Sequence, residues 1–289
     1  MKLLNKKAII SGASRGLGAT IADFFVKEGA SIVICARDKK LLFKKRDSLQ
    51  AIAPDGVKVS AVVVDVSSFK EVNKLTKIVE MELGGLDILV ANAGIYGPKG
   101  YFENNDWEEW SRTIDINLKG TVLQCRTVIP LFKKQKQGKI ILISGGGATK
   151  AMPNFSAYAA SKAGLIRFSE TLACELSSFN ISVMAIAPGA LNTRLLDEVL
   201  NAGPEIVGEK IYQQAIQQKK NGGDSLELAA ELCVYLASET SGITGKLISA
   251  IWDPWKNLHE YYEKIINTDI YTLRRIVPMD RGINWEPSK

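Results

Sequence analysis

Cysteine and histidine are scarce in this chain of 289 residues: it has four of the first and one of the second. Cys35, Cys125, Cys174 and Cys233 stand far apart and form no CxxC pair, so neither a disulfide framework nor a zinc site is expected. Such usage fits a reducing compartment, and the cytoplasm is the expected location. No apolar run approaches the roughly 20 residues that cross a bilayer, which argues against a membrane partner. The opening MKLLNKKAIISG has charge on both sides of a short apolar patch and runs straight into a glycine loop, unlike a cleavable signal peptide. No repeat, low-complexity stretch or Pro/Ser-rich linker divides the chain, so one domain is expected over residues 1–250. The tract at 251–289 reads as an appendage dense in aromatics and mixed charge, and holds the single histidine, His259. Net charge is +6, but the lysines are scattered among acids. That is the pattern of a solvated surface rather than a nucleic-acid patch, and an anionic cofactor or substrate could account for part of the excess.

What the chain does have is alternation. Runs rich in Val and Ile occur at residues 8–11, 31–36, 59–66, 87–93, 139–144 and 181–188, separated by stretches of helical periodicity. Apolar character on both faces is expected of strands covered by helices on each side of a parallel sheet, so the predicted fold is a doubly wound α/β sheet of Rossmann type. In ATIADFFVKEGA, Ile21, Phe24 and Phe25 are spaced to face inward and Gly29 offers a stop.

Between the first strand and that helix lies Ser11-Gly12-Ala13-Ser14-Arg15-Gly16-Leu17-Gly18. Glycines after a strand and before a helix let the backbone approach a pyrophosphate, while the helix N-terminus supplies free N–H groups and a favourable dipole. In NAD-selective sites an acid near the end of the second strand takes the ribose 2′-hydroxyl; here that position is Ala36. Arg37 and Arg15 could instead clamp a 2′-phosphate, which favours NADP(H), although Asp38 is available to neutralise Arg37.

Tyr158 and Lys162 lie four apart in SAYAASKAGLIRFSETLACEL, a strongly helical stretch, so both side chains can enter one cleft. A nearby ammonium is expected to lower the tyrosine pKa toward working pH, as a general acid/base requires. Taken together, the order and spacing of these features resemble the short-chain dehydrogenase/reductase family, in its single-domain branch with the spacing GxxxGxG. The resemblance covers residues 4–248 and includes Gly12, Gly16 and Gly18, Asp65-Val66, Asn92-Ala93-Gly94, Asn117, Tyr158, Lys162, Pro188-Gly189 and Thr193. It implies cofactor contacts from Gly12, Ser14, Arg15, Gly16, Leu17, Gly18, Arg37, Asp65, Val66 and residues 92–94. It also implies them from Tyr158, Lys162, Pro188, Gly189 and Thr193, the last at the nicotinamide carboxamide. Tyr158 would exchange a proton with the substrate oxygen, Lys162 would hold the nicotinamide ribose, and Asn117 would position a relay water.

One position departs from that pattern. The family usually has a serine 13 residues before the tyrosine, but Gly145 stands there, within Ser144-Gly145-Gly146-Gly147. Ser144 is one residue early. A backbone N–H of the glycines could serve in place of the hydroxyl, or the glycines could simply make room for a bulky substrate. The segments after residues 92–94 and 188–189 are expected to line the substrate pocket, with Tyr96, Tyr101, Trp107, Arg194 and Gly145 facing a carbonyl or alcohol of sugar-like or otherwise polar character. The tail, with Arg274, Arg275 and Arg281, could close over a phosphorylated substrate or enter the interface of a homodimer or homotetramer. The expected function is an NADP(H)-dependent oxidoreductase. A catalytically weakened NADP(H)-binding sensor or assembly protein is the alternative that Gly145 raises. A sugar-nucleotide epimerase or dehydratase is disfavoured by the glycine spacing.

Overall fold

In the computed structural model, which describes residues 1–238 and 242–284, seven strands form one parallel sheet. The strands are β1 Lys7–Ser11, β2 Ser31–Ala36, β3 Val59–Val63, β4 Ile88–Ala91, β5 Gly138–Ile143, β6 Ile181–Ala187 and β7 Lys246–Ser249. Their order, β3-β2-β1-β4-β5-β6-β7, reverses direction between β1 and β4. The fold is the Rossmann-type arrangement expected. The run predicted at 59–66 leaves the sheet at Val63, because Asp65 turns the chain: its carboxylate accepts from the Ser67 N–H and hydroxyl at 2.9 and 2.6 Å.

Helices α1 Gly16–Lys27, α2 Lys39–Ile52, α3 Phe69–Leu83, α4 Trp107–Ile114, α5 Gly120–Gln135 and α6 Ser156–Leu176 connect β1 through β6. The chain then forms α7 Arg194–Ala202, α8 Pro204–Val207, α9 Glu209–Asn221 and α10 Leu226–Ser238 before β7. Strand side chains alternate between two apolar layers. Ile10, Ile32, Ile34, Val90 and Ile141 pack with α1 and α10, whereas Ile9, Val33, Leu89, Ile140 and Leu142 pack with α3, α5 and α6. Every strand therefore ends at one edge of the sheet, where its following loop opens to the same side. Gly29, at φ +88°, stops α1 as its position suggested.

The tract after residue 250 turns back onto the first layer, through a 3₁₀ segment Trp255–Tyr261 and α11 Tyr262–Ile266. Trp255, Leu258 and Ile265 are 5%, 1% and 2% exposed and belong to the same cluster as Ile10 and Ile32. It also occupies the free edge of β7: Leu247 N–H donates to Tyr271 O at 2.8 Å and Ser249 N–H to the Asp253 carboxylate at 2.6 Å. Lys246 Nζ reaches Thr268 O and Ile270 O at 2.7 and 3.0 Å. Arg167 and Glu170 of α6 hold the backbone of Leu273. Residues 285–289 of the predicted appendage lie outside the described residues. Among the described residues no helix is long and apolar enough to cross a membrane, and no group of His, Cys, Asp or Glu could hold a metal ion.

Candidate active site

The loop after β1 is built for close approach. A Cβ on Gly12 would lie 2.8 Å from Ala93 Cα, and one on Gly18 would lie 2.5 Å from Gly12 O and 2.4 Å from Asn92 Nδ2. Gly12 and Gly16 adopt φ +66° and +56°, which L side chains resist. Asn92 ties this loop to the end of β4, donating through Nδ2 to Ser11 O and Gly12 O at 2.9 and 3.3 Å. Ser11 Oγ in turn accepts from the N–H groups of Asn92 and Ala93. Packed this tightly, the loop leaves a crevice lined by Gly12, Ser14, Arg15, Ala36, Arg37 and Asp38 on one side. Val64, Asp65, Val66, Ala93, Gly94 and Ile95 line the other. A dinucleotide fits this cradle: bare backbone faces the pyrophosphate position and an apolar strand-end slot suits the adenine.

Three guanidiniums, of Arg15, Arg37 and Arg194, line that crevice. Asp38 does not neutralise Arg37, because its carboxylate caps α2 by accepting from Leu41 N–H at 3.0 Å. The counter-ion is Asp65, 4.0 Å from Arg37. Burial works against the charged Asp65 carboxylate, but hydrogen bonds from Ser67 and the nearby Arg37 and Arg112 outweigh it and hold its pKa below the usual range. Arg194, expected at the substrate, lines the cofactor crevice and pairs with Glu198 at 2.9 Å. Thr193 caps α7 and lies beside the loop glycine Gly16, 3.5 Å from where a Cβ there would be. Pro188 and Gly189 lead into it, and Gly189, at φ +99°, abuts Asp224 and Ile251.

Tyr158 and Lys162 share the inner face of α6, at 6% and 4% exposure. Lys162 Nζ donates to Ile143 O at 2.7 Å, at the end of β5, and stands 5.7 Å from the Tyr158 ring centroid. Burial lowers the Lys162 ammonium to about 8. Burial, with a smaller contribution from Tyr96, raises the Tyr158 hydroxyl well above the usual tyrosine range. The expected lowering of the tyrosine pKa is thus reversed: the ammonium is drawn to a carbonyl, and desolvation of the phenolate dominates.

Asn117 is completely buried where α4 passes into α5 through a π turn at Asp115–Lys119. Its side-chain donors are both engaged within the protein, and Oδ1 keeps one lone pair beyond the bond it accepts. Oδ1 accepts from Ile95 N–H, while Nδ2 donates to Ile95 O and to Ser161 Oγ, at 2.9, 2.9 and 3.0 Å. Asn117 therefore locks the loop after β4 to α6, one turn of helix from Tyr158. Ser144 is 3% exposed, and its hydroxyl has no partner among the described residues. Gly145 lies directly under Tyr158.

Around the tyrosine the surroundings are apolar. Tyr96 meets its ring edge-on at 4.7 Å and Phe155 meets Tyr96 at 5.3 Å. Leu196, Val199, Val207 and Ala215 of α7 to α9 close over them. Tyr101 and Trp107 do not line this pocket: they are 68% and 63% exposed, and Trp107 stacks on Trp110. Glu198, missed in the sequence, bridges Arg194 to Lys99, 3.6 Å away on the loop that carries Tyr96. Only the apolar spacing of α7 hinted at this cover.

The model of the short chain dehydrogenase family matches residues 6–202. The 3beta-hydroxysteroid dehydrogenase 1 of Eggerthella lenta is 39% identical over 204 residues, covering 70% of this chain and 77% of that protein. Among solved structures, levodione reductase superposes with a TM-score of 0.78 at 25% identity, over 86% of this chain and 96% of its own. NAD⁺-bound xylitol dehydrogenase gives 0.77 at 26% identity, over 86% and 98%.

Proposed function

This chain belongs to the short-chain dehydrogenase family, and from that membership we propose that it is an NADP(H)-linked oxidoreductase that interconverts a carbonyl and an alcohol on a largely apolar, ring-sized substrate. The observation that carries the reading is the buried pair Tyr158 and Lys162 beside a glycine-loop crevice lined by three arginines: Lys162 Nζ lies 3.7 Å from where a Cβ would stand on Gly94, which lines that crevice. Bound there, the nicotinamide would supply or accept the hydride. Tyr158, held protonated by burial, gives its proton to the substrate oxygen during reduction and takes it back during oxidation. Lys162 places a cation beside the cofactor ribose. Asn117 holds residue 95 and α6 in register so that these groups meet one substrate.

Arg37 and Arg15, with no acid at residue 36, support NADP(H) over NAD(H). The cover formed by Tyr96, Phe155, Leu196 and Val199 supports an apolar substrate over the polar, sugar-like one suggested by the sequence. A steroid-acting relative at 39% identity is consistent with that change. Leu118 of the π turn, Val122 and Leu123 of α5 and Phe168 of α6 line a hollow, which supports a homodimer or homotetramer. Three buried thiols support work in the cytoplasm.

The test is NADPH and NADH consumption with cyclohexanone, 1-decalone and an acyclic 2-ketone, beside direct titration of each cofactor. Tighter NADPH binding that Arg37→Ala removes is expected, and Tyr158→Phe should abolish turnover while leaving NADPH affinity intact. Cofactor binding without turnover of any ketone would refute the enzyme reading. Equal affinity for both cofactors would refute the arginine argument.

A further inference from the structure

An ideal Cβ on Gly145 would lie 2.1 Å from Tyr158 Oη and 3.2 Å from Cζ. The tyrosine hydroxyl itself fills the space that a side chain there would take, so the glycine does not provide room for a bulky substrate. The chain then turns: Ala148 N–H donates to Gly145 O at 3.4 Å and Gly147 has φ +82°, the type II pattern with glycine at its third position. Among the described residues, the N–H groups of Gly145, Gly146 and Gly147 have no protein acceptor. The adjacent hydroxyl, of Ser144, is 3% exposed and belongs to the residue before the one that abuts Tyr158 Oη.

Hydride addition to a carbonyl needs more than one donor. The incoming electron pair forms the C–H bond, the π pair moves onto oxygen, and that oxygen can accept up to three hydrogen bonds as charge builds. Resting on the oxidoreductase reading, we infer that the backbone N–H groups of Gly145 and Gly146 hold the substrate oxygen opposite Tyr158. They form an oxyanion site made of main chain. Tyr158 supplies the third hydrogen bond and then its proton, which water returns to the phenolate, while a bound dihydronicotinamide would supply the hydride and be left oxidised. Each glycine has its own reason in this arrangement. Residue 145 must lack a side chain because Tyr158 Oη stands there, and residue 147 needs a positive φ. Residue 146 is sterically free, since a Cβ on it would meet only Met152 Sδ at 3.7 Å.

That freedom allows the N–H to be deleted alone. Proline is favoured at the second position of a type II turn, so Gly146→Pro removes the donor and keeps the turn, while Gly146→Ala keeps both. With whichever ketone of the panel the wild type reduces best, Gly146→Ala is the reference for Gly146→Pro, since both add a side chain at this position and only proline removes the N–H. Gly146→Pro should lose about a hundredfold or more in kcat with the NADPH dissociation constant unchanged. Equal kcat in the two variants would overturn the inference while leaving the oxidoreductase reading intact. A wild type that binds NADPH but reduces no ketone would overturn both. If circular dichroism shows that the proline variant does not fold, wild type labelled with ¹⁵N-glycine and saturated with NADP⁺ is titrated with 1-decalol. A downfield shift of the Gly145 or Gly146 amide proton supports the site, and unmoved amides refute it.

Discussion

Replacing Gly145 by alanine tests whether the tyrosine hydroxyl and the β5 turn compete for one volume. The new Cβ would sit 2.1 Å from Tyr158 Oη, more than an ångström short of the 3.4 Å at which ordinary contact begins. Tyr158 cannot swing away cheaply, because Tyr96 is packed edge-on against its ring at 4.7 Å and Lys162 lies on the same helix face. Overpacking of this kind costs about 1–3 kcal/mol. Tyr158→Phe removes Oη and leaves Cζ at 3.2 Å as the nearest atom, a contact relieved by a few tenths of an ångström. Gly145→Ala should therefore cost clearly less in the phenylalanine background, giving a coupling of about 1–2 kcal/mol in a double-mutant cycle. Urea unfolding of the four proteins measures it, and thermal scans should register about 2–4 °C per kcal/mol. In the Tyr158 background the displaced hydroxyl should lower kcat by about a hundredfold, as an ångström of misplacement does, with NADPH affinity held. Gly145→Ser should behave no better. Equal stability penalties in the two backgrounds, or a rise in turnover in Gly145→Ser, would refute the reasoning.

Two further outcomes follow from other parts of the molecule. Lys162 has its pKa lowered by burial to about 8 from 10.5, so the unfolded chain binds the proton more tightly. Stability should rise as pH climbs from about 8 to about 10.5. Below pH 8 the buried charge costs on the order of 3 kcal/mol, so Lys162→Met should be more stable than wild type there and lose that advantage above pH 10.5. A gap between the two proteins that does not change with pH would contradict this. Trp255→Ala should lower stability by about 3–5 kcal/mol in urea unfolding while leaving kcat within a few-fold, since the indole is 5% exposed on the layer away from Tyr158. A loss below 1 kcal/mol would show that the tail is not part of the core.

Much of the fold was legible because parallel strands are buried on both faces and so appear as unbroken Val and Ile runs. The glycine loop and the pair Tyr158 and Lys162 were legible because each is set by local spacing on one strand-to-helix turn or one helix face. What escaped depends on segments far apart in the chain meeting. Glu198 joins Lys99, Tyr96 joins Tyr158, and Asn117 ties residue 95 to Ser161 from a π turn that no residue pattern announces. The partner of Arg37 was misassigned for a related reason. Asp38 was nearest in sequence, but helix capping claimed it and left Asp65, across the crevice, as the counter-ion. The tyrosine pKa was misjudged because a cation four residues away counts for less than complete desolvation, and depth of burial follows from the helices α7 to α9 closing over the ring.

The strap across β7 also has a bearing on synthesis. Both outward-facing donors of that strand, at Leu247 and Ser249, find their acceptors in residues 253 and 271. A nascent chain that has released β7 from the ribosome still lacks most of what covers it, and for that interval displays a bare strand beside the unfilled place of Trp255. A chain cut short near residue 250 would stay in that condition permanently. Such an edge is a template for pairing with other chains, so premature termination there should yield aggregation rather than a smaller working enzyme.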